Sequence, residues 1–136
     1  MQNQNFTNAA ALAGRILLAL IFVLSGFNKI VGYDGTAAYM ANAGLPLVSI
    51  LLPLTILIEL GGGLLLILGW KTRIVAAVVF LFLIPVTLVF HGHAADPSQA
   101  QAQFIHLLKN LSIMGGMLML VAFGPGGWSV DGRGSR

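Results

Sequence analysis

The chain has no cysteine, which excludes disulfides, thiolate metal sites and thiol redox chemistry from its own residues. It is also poor in charge: Asp, Glu, Lys and Arg make up 8% of its 136 residues, against about 25% in soluble domains. A soluble fold so short of charge could not cover its own surface, and with 57% hydrophobic residues the solvent for most of the chain must be lipid. The alternation of polar and apolar residues that marks barrel strands is missing too, so helix is the expected membrane element. The net charge of +3 comes from seven Lys and Arg against four acids. In a membrane chain such a balance reports topology, and nucleic acid is not an expected partner. No cleavable signal stands out: the first eleven residues carry no side-chain charge, and the apolar run after them outlasts a signal core. The first helix is therefore expected to stay in the mature protein.

What the chain does contain is four apolar segments, at about 12–31, 47–68, 74–90 and 104–123. Each is near the length that crosses the hydrocarbon core. The expected fold is a single all-α membrane domain over 1–136, a bundle of four transmembrane helices, with a short polar tail, 124–136, lacking regular structure. Pro85 is a candidate kink in the third span. The loop from Gly32 to Gly44 reads as a short interfacial helix, with its tyrosines at headgroup level. Pro53 offers an alternative start for the second span, because proline suits a first helical turn. Arg15, Lys71, Arg73, Arg133 and Arg136 fall on one side, and Lys29 and Lys109 on the other. Five against two places both termini in the cytoplasm, with Arg15, Lys71 and Arg73 as topology anchors.

Glu59 is the one charge in the second span, and an ionisable group inside a membrane is a functional candidate that needs a partner. Gly61, Gly62 and Gly63 follow it and allow a neighbouring helix to approach closely. Thr55 lies one turn before it, on the same face. In the first span, Arg15, Phe22 and Lys29 recur every seven residues and share a stripe with Gly26, with Ser25 and Asn28 beside it. The simplest reading has Arg15 and Lys29 snorkelling to opposite headgroup layers. The fourth span opens with His106, Lys109 and Asn110, where spacings of three and four put His106 beside both of the others. His91-Gly92-His93 ends the third span. The expected intramembrane polar cluster is therefore Lys29, Glu59, His106, Lys109 and Asn110, with Asn28, Thr55 and His91 as additional lining. Lys29 or Lys109 is the expected partner of Glu59, with Arg15 third because it belongs to the opposite end. No catalytic residue is assigned. Two lysines near one carboxylate oppose a bound cation, so neither a metal site nor a haem is expected, whereas an anion or a quinone head group suits the positive excess.

The pieces Gly14-Arg15, Ser25-Gly26-Phe27-Asn28-Lys29, Gly44-Leu45-Pro46, Glu59 to Gly69, Lys109-Asn110-Leu111, Gly115-Gly116, Gly124-Pro125-Gly126 and Ser129-Val130-Asp131 occur in an order that resembles the DoxX family of small bacterial membrane proteins. The resemblance covers about Gly14 to Asp131. It implies a four-helix, multi-pass protein of the bacterial inner membrane. The family name comes from a subunit associated with thiosulfate:quinone oxidoreduction, and some relatives are linked to redox-stress assemblies. It carries Arg15, Lys29, Glu59, Lys109 and Asn110 over as motif positions, without a role for any.

Three functions compete. The chain could be a non-catalytic subunit or scaffold of a redox-associated membrane assembly, with a quinone or lipid head group in its polar cluster and an oxidoreductase subunit as partner. It could be a transporter for a small solute or protons, acting as a homodimer through its glycine-rich faces. It could be purely structural, its charges pairing to fix helix register. An enzyme acting alone is not expected, because no nucleophile–base pair, nucleotide loop or strong metal motif is visible.

Overall fold

The computed structural model describes residues 3–91 and 97–134, with the side chain of His91 left out. His93 and Asp96 lie outside the described residues, as does the His91 imidazole. Among the described residues the fold is all helical: α1 (Gln4–Val31), α2 (Tyr33–Asn42), α3 (Val48–Ile56), a π-helical segment (Leu57–Gly61), α4 (Gly62–Leu68), α5 (Thr72–His91), α6 (Ala100–Phe123) and α7 (Val130–Arg133). Four stretches are long and apolar enough to cross a membrane: Gln4–Val31, Val48–Leu68, Thr72–Phe90 and Pro97–Phe123.

The first span starts two turns earlier than its apolar run. Asn3 caps α1, its side chain accepting from the Asn5 N–H at 3.0 Å, and Gln4 and Asn8 then continue the helix. The chain turns at Gly32, whose N–H reaches the Asn28 carbonyl at 2.9 Å, and α2 follows where an interfacial helix was expected. The second span begins at Val48, after Leu47 in a left-handed conformation, and not at Pro53, which lies inside α3. Pro85 is likewise accommodated inside α5. The tail is the main departure from expectation, because it carries α7 and folds back onto the bundle.

Two pairings organise the bundle: α1 against the π-helical segment and α4, and α5 against α6, with α4 bridging to α5. Two glycines set the first pairing. A Cβ on Gly26 would stand 2.8 Å from the Leu60 backbone nitrogen, and one on Gly63 would stand 2.8 Å from Val23 and 3.2 Å from its backbone nitrogen. The two helices thus touch backbone to backbone, the close approach that small residues permit in lipid. A core of Ala19, Phe22, Leu66, Ala76, Val79, Leu83 and Met117 fills the interior. Large apolar side chains such as Leu17 and Phe123 point outward, as lipid-facing residues should.

Candidate functional site

The α1–α4 contact brings Lys29 onto Glu59. The ammonium lies 2.9 Å from Glu59 Oε2 and 3.3 Å from Oε1; its hydrogen bond goes to Oε1, and Oε2 makes an ionic contact only. Lys29 also donates to Ser25 Oγ, one turn back on α1, at 2.7 Å. The carboxylate side chain is 10% exposed and the ammonium side chain 24%. Two opposite charges sharing one partly buried site offset much of the desolvation that each would otherwise suffer in lipid. Glu59 sits inside the π-helical segment. Such an insertion of one residue per turn loosens the ladder locally and recurs at functional sites.

Beside this pair lies a cavity of about 280 Å³. α1 contributes Ile21, Phe22, Ser25 and Lys29; α2 contributes Thr36, Tyr39 and Met40; Thr55 and Glu59 come from the second span. α5 adds Phe82, Leu83, Val86 and Phe90, and α6 adds Lys109, Asn110 and Ile113. Tyr39 stacks on Phe90 with ring centroids 5.5 Å apart and planes at 17°, closing the wall between α2 and α5. Asn110 is buried, and its Nδ2 donates to Thr87 Oγ1 at 3.1 Å. The site is thus an apolar, aromatic-lined chamber with one ion pair, one amide–hydroxyl pair and a lysine at its edge.

The structure gathers Lys29, Glu59, Thr55, Lys109 and Asn110 around one cavity and leaves His106 and Asn28 out of it. His106 is exposed and meets Lys109 from outside, 3.2 Å from Nδ1 to the ammonium. The i, i+3 spacing is right for that contact, but Asn110 is turned about 100° from Lys109 around the helix and points inward without His106. Asn28 is exposed and lines an adjoining cleft between α1 and α2. Thr87, Tyr39 and Thr36 were not anticipated. Thr87 carried a signal, being the only polar side chain in the run from Ile74 to Phe90. Among the described residues no three of His, Asp and Glu gather where they could hold a metal ion.

The opposite end of the bundle corrects the reading of Arg15. It does not snorkel: it is 1% exposed. Its Nη1 donates to the Leu66 and Ile67 carbonyls, each at 3.0 Å, and its Nη2 donates to the Trp128 carbonyl of the tail. The carbonyls at the end of α4 lack helical partners, and the guanidinium fork satisfies two of them at once. Arg73 does the same for α6, donating to Val121 and Ala122 at 2.8 and 2.9 Å. Lys71 lies 4.8 Å from the Trp70 ring centroid. The tail is fastened by Asp131, which accepts from Lys71 N at 2.8 Å and from Thr72 N and Oγ1 at 2.9 Å each. It therefore caps α5 from another segment of the chain. Asn8 Oδ1 adds a bond from Gly127 N at 2.9 Å. Burial pushes the Asp131 carboxyl up, but the bonds from Thr72 and Lys71 and the nearby Arg15 charge outweigh it and hold the group below the usual carboxylate range.

Comparison with known proteins agrees with this architecture. The DoxX family model matches residues 10–92, which include most of α1, the whole of α2 to α4 and the Lys29–Glu59 pair. The Escherichia coli (strain K12) inner membrane protein YqjF is 38% identical over 124 residues, covering 91% of each chain. The inner membrane protein YphA of the same organism is 34% identical, covering 90% of this chain and 88% of its own. A Bacillus subtilis (strain 168) protein, CatD, whose name gives it provisionally as an oxidoreductase, is 34% identical over 73% of this chain and 71% of its own. No solved structure matches. The four membrane-length helices, the family match and the two inner-membrane relatives together make this chain a multi-pass inner-membrane protein of the DoxX family.

Proposed function

We propose that the protein is a non-catalytic subunit or scaffold of a redox-associated assembly in the inner membrane, and that its cavity receives the polar head group of a membrane-dissolved molecule such as a quinone or a lipid. The observation that carries this reading is the chamber itself. Ligand sites are concave and mostly apolar, with a few convergent polar groups. Here Phe22, Tyr39, Phe82 and Phe90 supply the apolar walls, while Lys29–Glu59, Lys109 and Asn110 supply the polar contacts. The π-helical segment at Glu59 adds a second reason to look for function at this point. The redox setting rests on less: the family resemblance and the name of the Bacillus subtilis relative. The chain's own residues offer no thiol, so electron transfer would fall to a partner subunit. With both termini in the cytoplasm, the chamber would open towards the outer half of the bilayer.

The test is mild detergent extraction followed by mass spectrometry of everything the protein retains. A quinone or lipid bound in stoichiometric amount to the wild type and lost from Glu59→Gln, with the variant still folded in the membrane, is the expected result. An oxidoreductase in the same preparation would place the chain in its assembly. Preparations that hold neither a stoichiometric ligand nor an oxidoreductase would sink the proposal.

A further inference from the structure

A second cavity, of about 490 Å³, adjoins the chamber. It fills the cleft between α1 and α2 and shares five wall residues with the chamber: Ile21, Ser25, Lys29, Thr36 and Tyr39. The wall between the two spaces is therefore built from the residues that hold the ion pair on one side and from two α2 side chains on the other. The outer rim of the cleft faces the surroundings of the bundle. Leu24 there is 53% exposed, and Tyr39 is 60% exposed although its ring stacks on Phe90. Leu24 belongs to a membrane-spanning helix, so its surroundings are lipid.

α2 is the more lightly held side of that cleft. A single residue, Gly32, joins it to α1, and of its ten residues only Met40 is buried. Its remaining hold on the bundle includes the Tyr39–Phe90 stack. Few buried contacts mean a low free energy of local opening.

From these observations we infer that the chamber is loaded sideways from the bilayer, through the α1–α2 cleft, by a quinone-type molecule whose planar head reaches Lys29 while its single chain stays in the cleft. The inference rests on the head-group reading above and adds the route and the ligand class. The two ammonium groups, Lys29 and Lys109, are donors only, so the head must carry acceptor oxygens, as a quinone does. The aromatic faces of Phe22, Phe82 and Phe90 suit a flat ring. A phospholipid head carries two acyl chains and needs a wider passage than a one-chain molecule.

The experiment compares two probes with one head group, decylubiquinone and the tail-less ubiquinone-0, by native mass spectrometry of the detergent-solubilised full-length protein. The wild type is expected to bind the decyl probe at least tenfold more tightly. Leu24→Trp, which narrows the cleft from its lipid-facing side, should remove that tenfold gain and leave ubiquinone-0 binding unchanged. Asn28→Trp narrows the same cleft one turn further along α1, at a residue that, like Leu24, lines the cleft and not the chamber, and should behave alike, which guards against a folding defect in either variant. Equal binding of the two probes to the wild type overturns the route while leaving the head-group reading standing. So does decyl binding that neither tryptophan variant weakens. Binding of neither probe overturns the head-group reading and the route together. A retained phospholipid that decylubiquinone cannot displace overturns the quinone assignment.

Discussion

Lys29 and Glu59, thirty positions apart in sequence, meet at 2.9 Å because Gly26, one turn before Lys29, lies against the backbone of Leu60, the residue after Glu59. Small-residue packing and charge pairing are one arrangement here: the glycine contact sets the axial register at which the two charges face each other.

The pair should behave as a unit. Glu59→Gln or Lys29→Met alone leaves one partly buried charge without its partner, and each is expected to lower stability by about 3 kcal/mol. The double variant should recover most of that loss. Heat or SDS denaturation of the four proteins in mild detergent gives the double-mutant cycle, and additive losses would show that the two side chains do not interact.

The glycine contact predicts a contrast between two equally simple changes. Gly26→Ala puts a methyl group 2.8 Å from backbone and should cost about 1–3 kcal/mol by overpacking. Gly14→Ala, on the same helix, meets nothing within 4 Å, and should be neutral or stabilising by up to about 1 kcal/mol through helix propensity. Equal effects in a denaturation assay would contradict the backbone-to-backbone packing.

The Asn110–Thr87 bond should show the asymmetry of buried hydrogen bonds. Thr87→Val leaves the Asn110 amide without its acceptor and should cost about 1–3 kcal/mol. Thr87→Val with Asn110→Leu removes both groups and should cost less than the single change. Because Asn110 lines the chamber, the double variant should also lose any bound head group, readable in the same preparation by mass spectrometry.

The tail predicts a pH effect. The folded carboxyl of Asp131 lies below its ordinary value of 3.8, so its contribution is complete above that pH and disappears as pH falls through the lower folded value. Stability should therefore hold from pH 7 down to about pH 5 as far as Asp131 is concerned, then decline below 3.8. Asp131→Asn should lower stability by about 2 kcal/mol near neutrality, since bonds to a charged group are lost. Its melting temperature should fall less than that of the wild type on acidification below that point. A wild-type protein and variant that respond identically to acid would show that the tail is not held through this carboxylate.

Arg15→Lys should not be conservative. A lysine ammonium cannot reproduce the fork that spans the Leu66, Ile67 and Trp128 carbonyls. The expected loss is about 2 kcal/mol, together with release of the tail, which limited proteolysis after Phe123 would report. A lysine variant as stable and as protease-resistant as the wild type would contradict the burial of Arg15.

Much of the site could be read from residue types. A lone glutamate in an apolar run, a lysine on a small-residue stripe and an asparagine near a glycine pair were all visible, and each lines the chamber. Thr55 followed from helical spacing. His106 stands outside the chamber, against Lys109, because spacing along one helix says which residues are neighbours and not which of them turn inward. The tail was misread for a different reason. Its partners are main-chain carbonyls and N–H groups of Leu66, Ile67, Lys71 and Thr72, and every residue carries such groups, so no sequence pattern announces them.

The sequence by itself determined the solvent, the four membrane-crossing helices and the short list of groups able to meet Glu59. It did so because scarcity of charge and length of apolar runs act locally, residue by residue. Tertiary structure alone chose Lys29 over Lys109, wound a π-helical turn around Glu59, opened the cleft beside α2 and turned Arg15 from a headgroup anchor into a buried cap. Those outcomes depend on the rotation and offset of one helix against another. The close approaches at Gly26 and Gly63 fix that offset across distances no local pattern encodes.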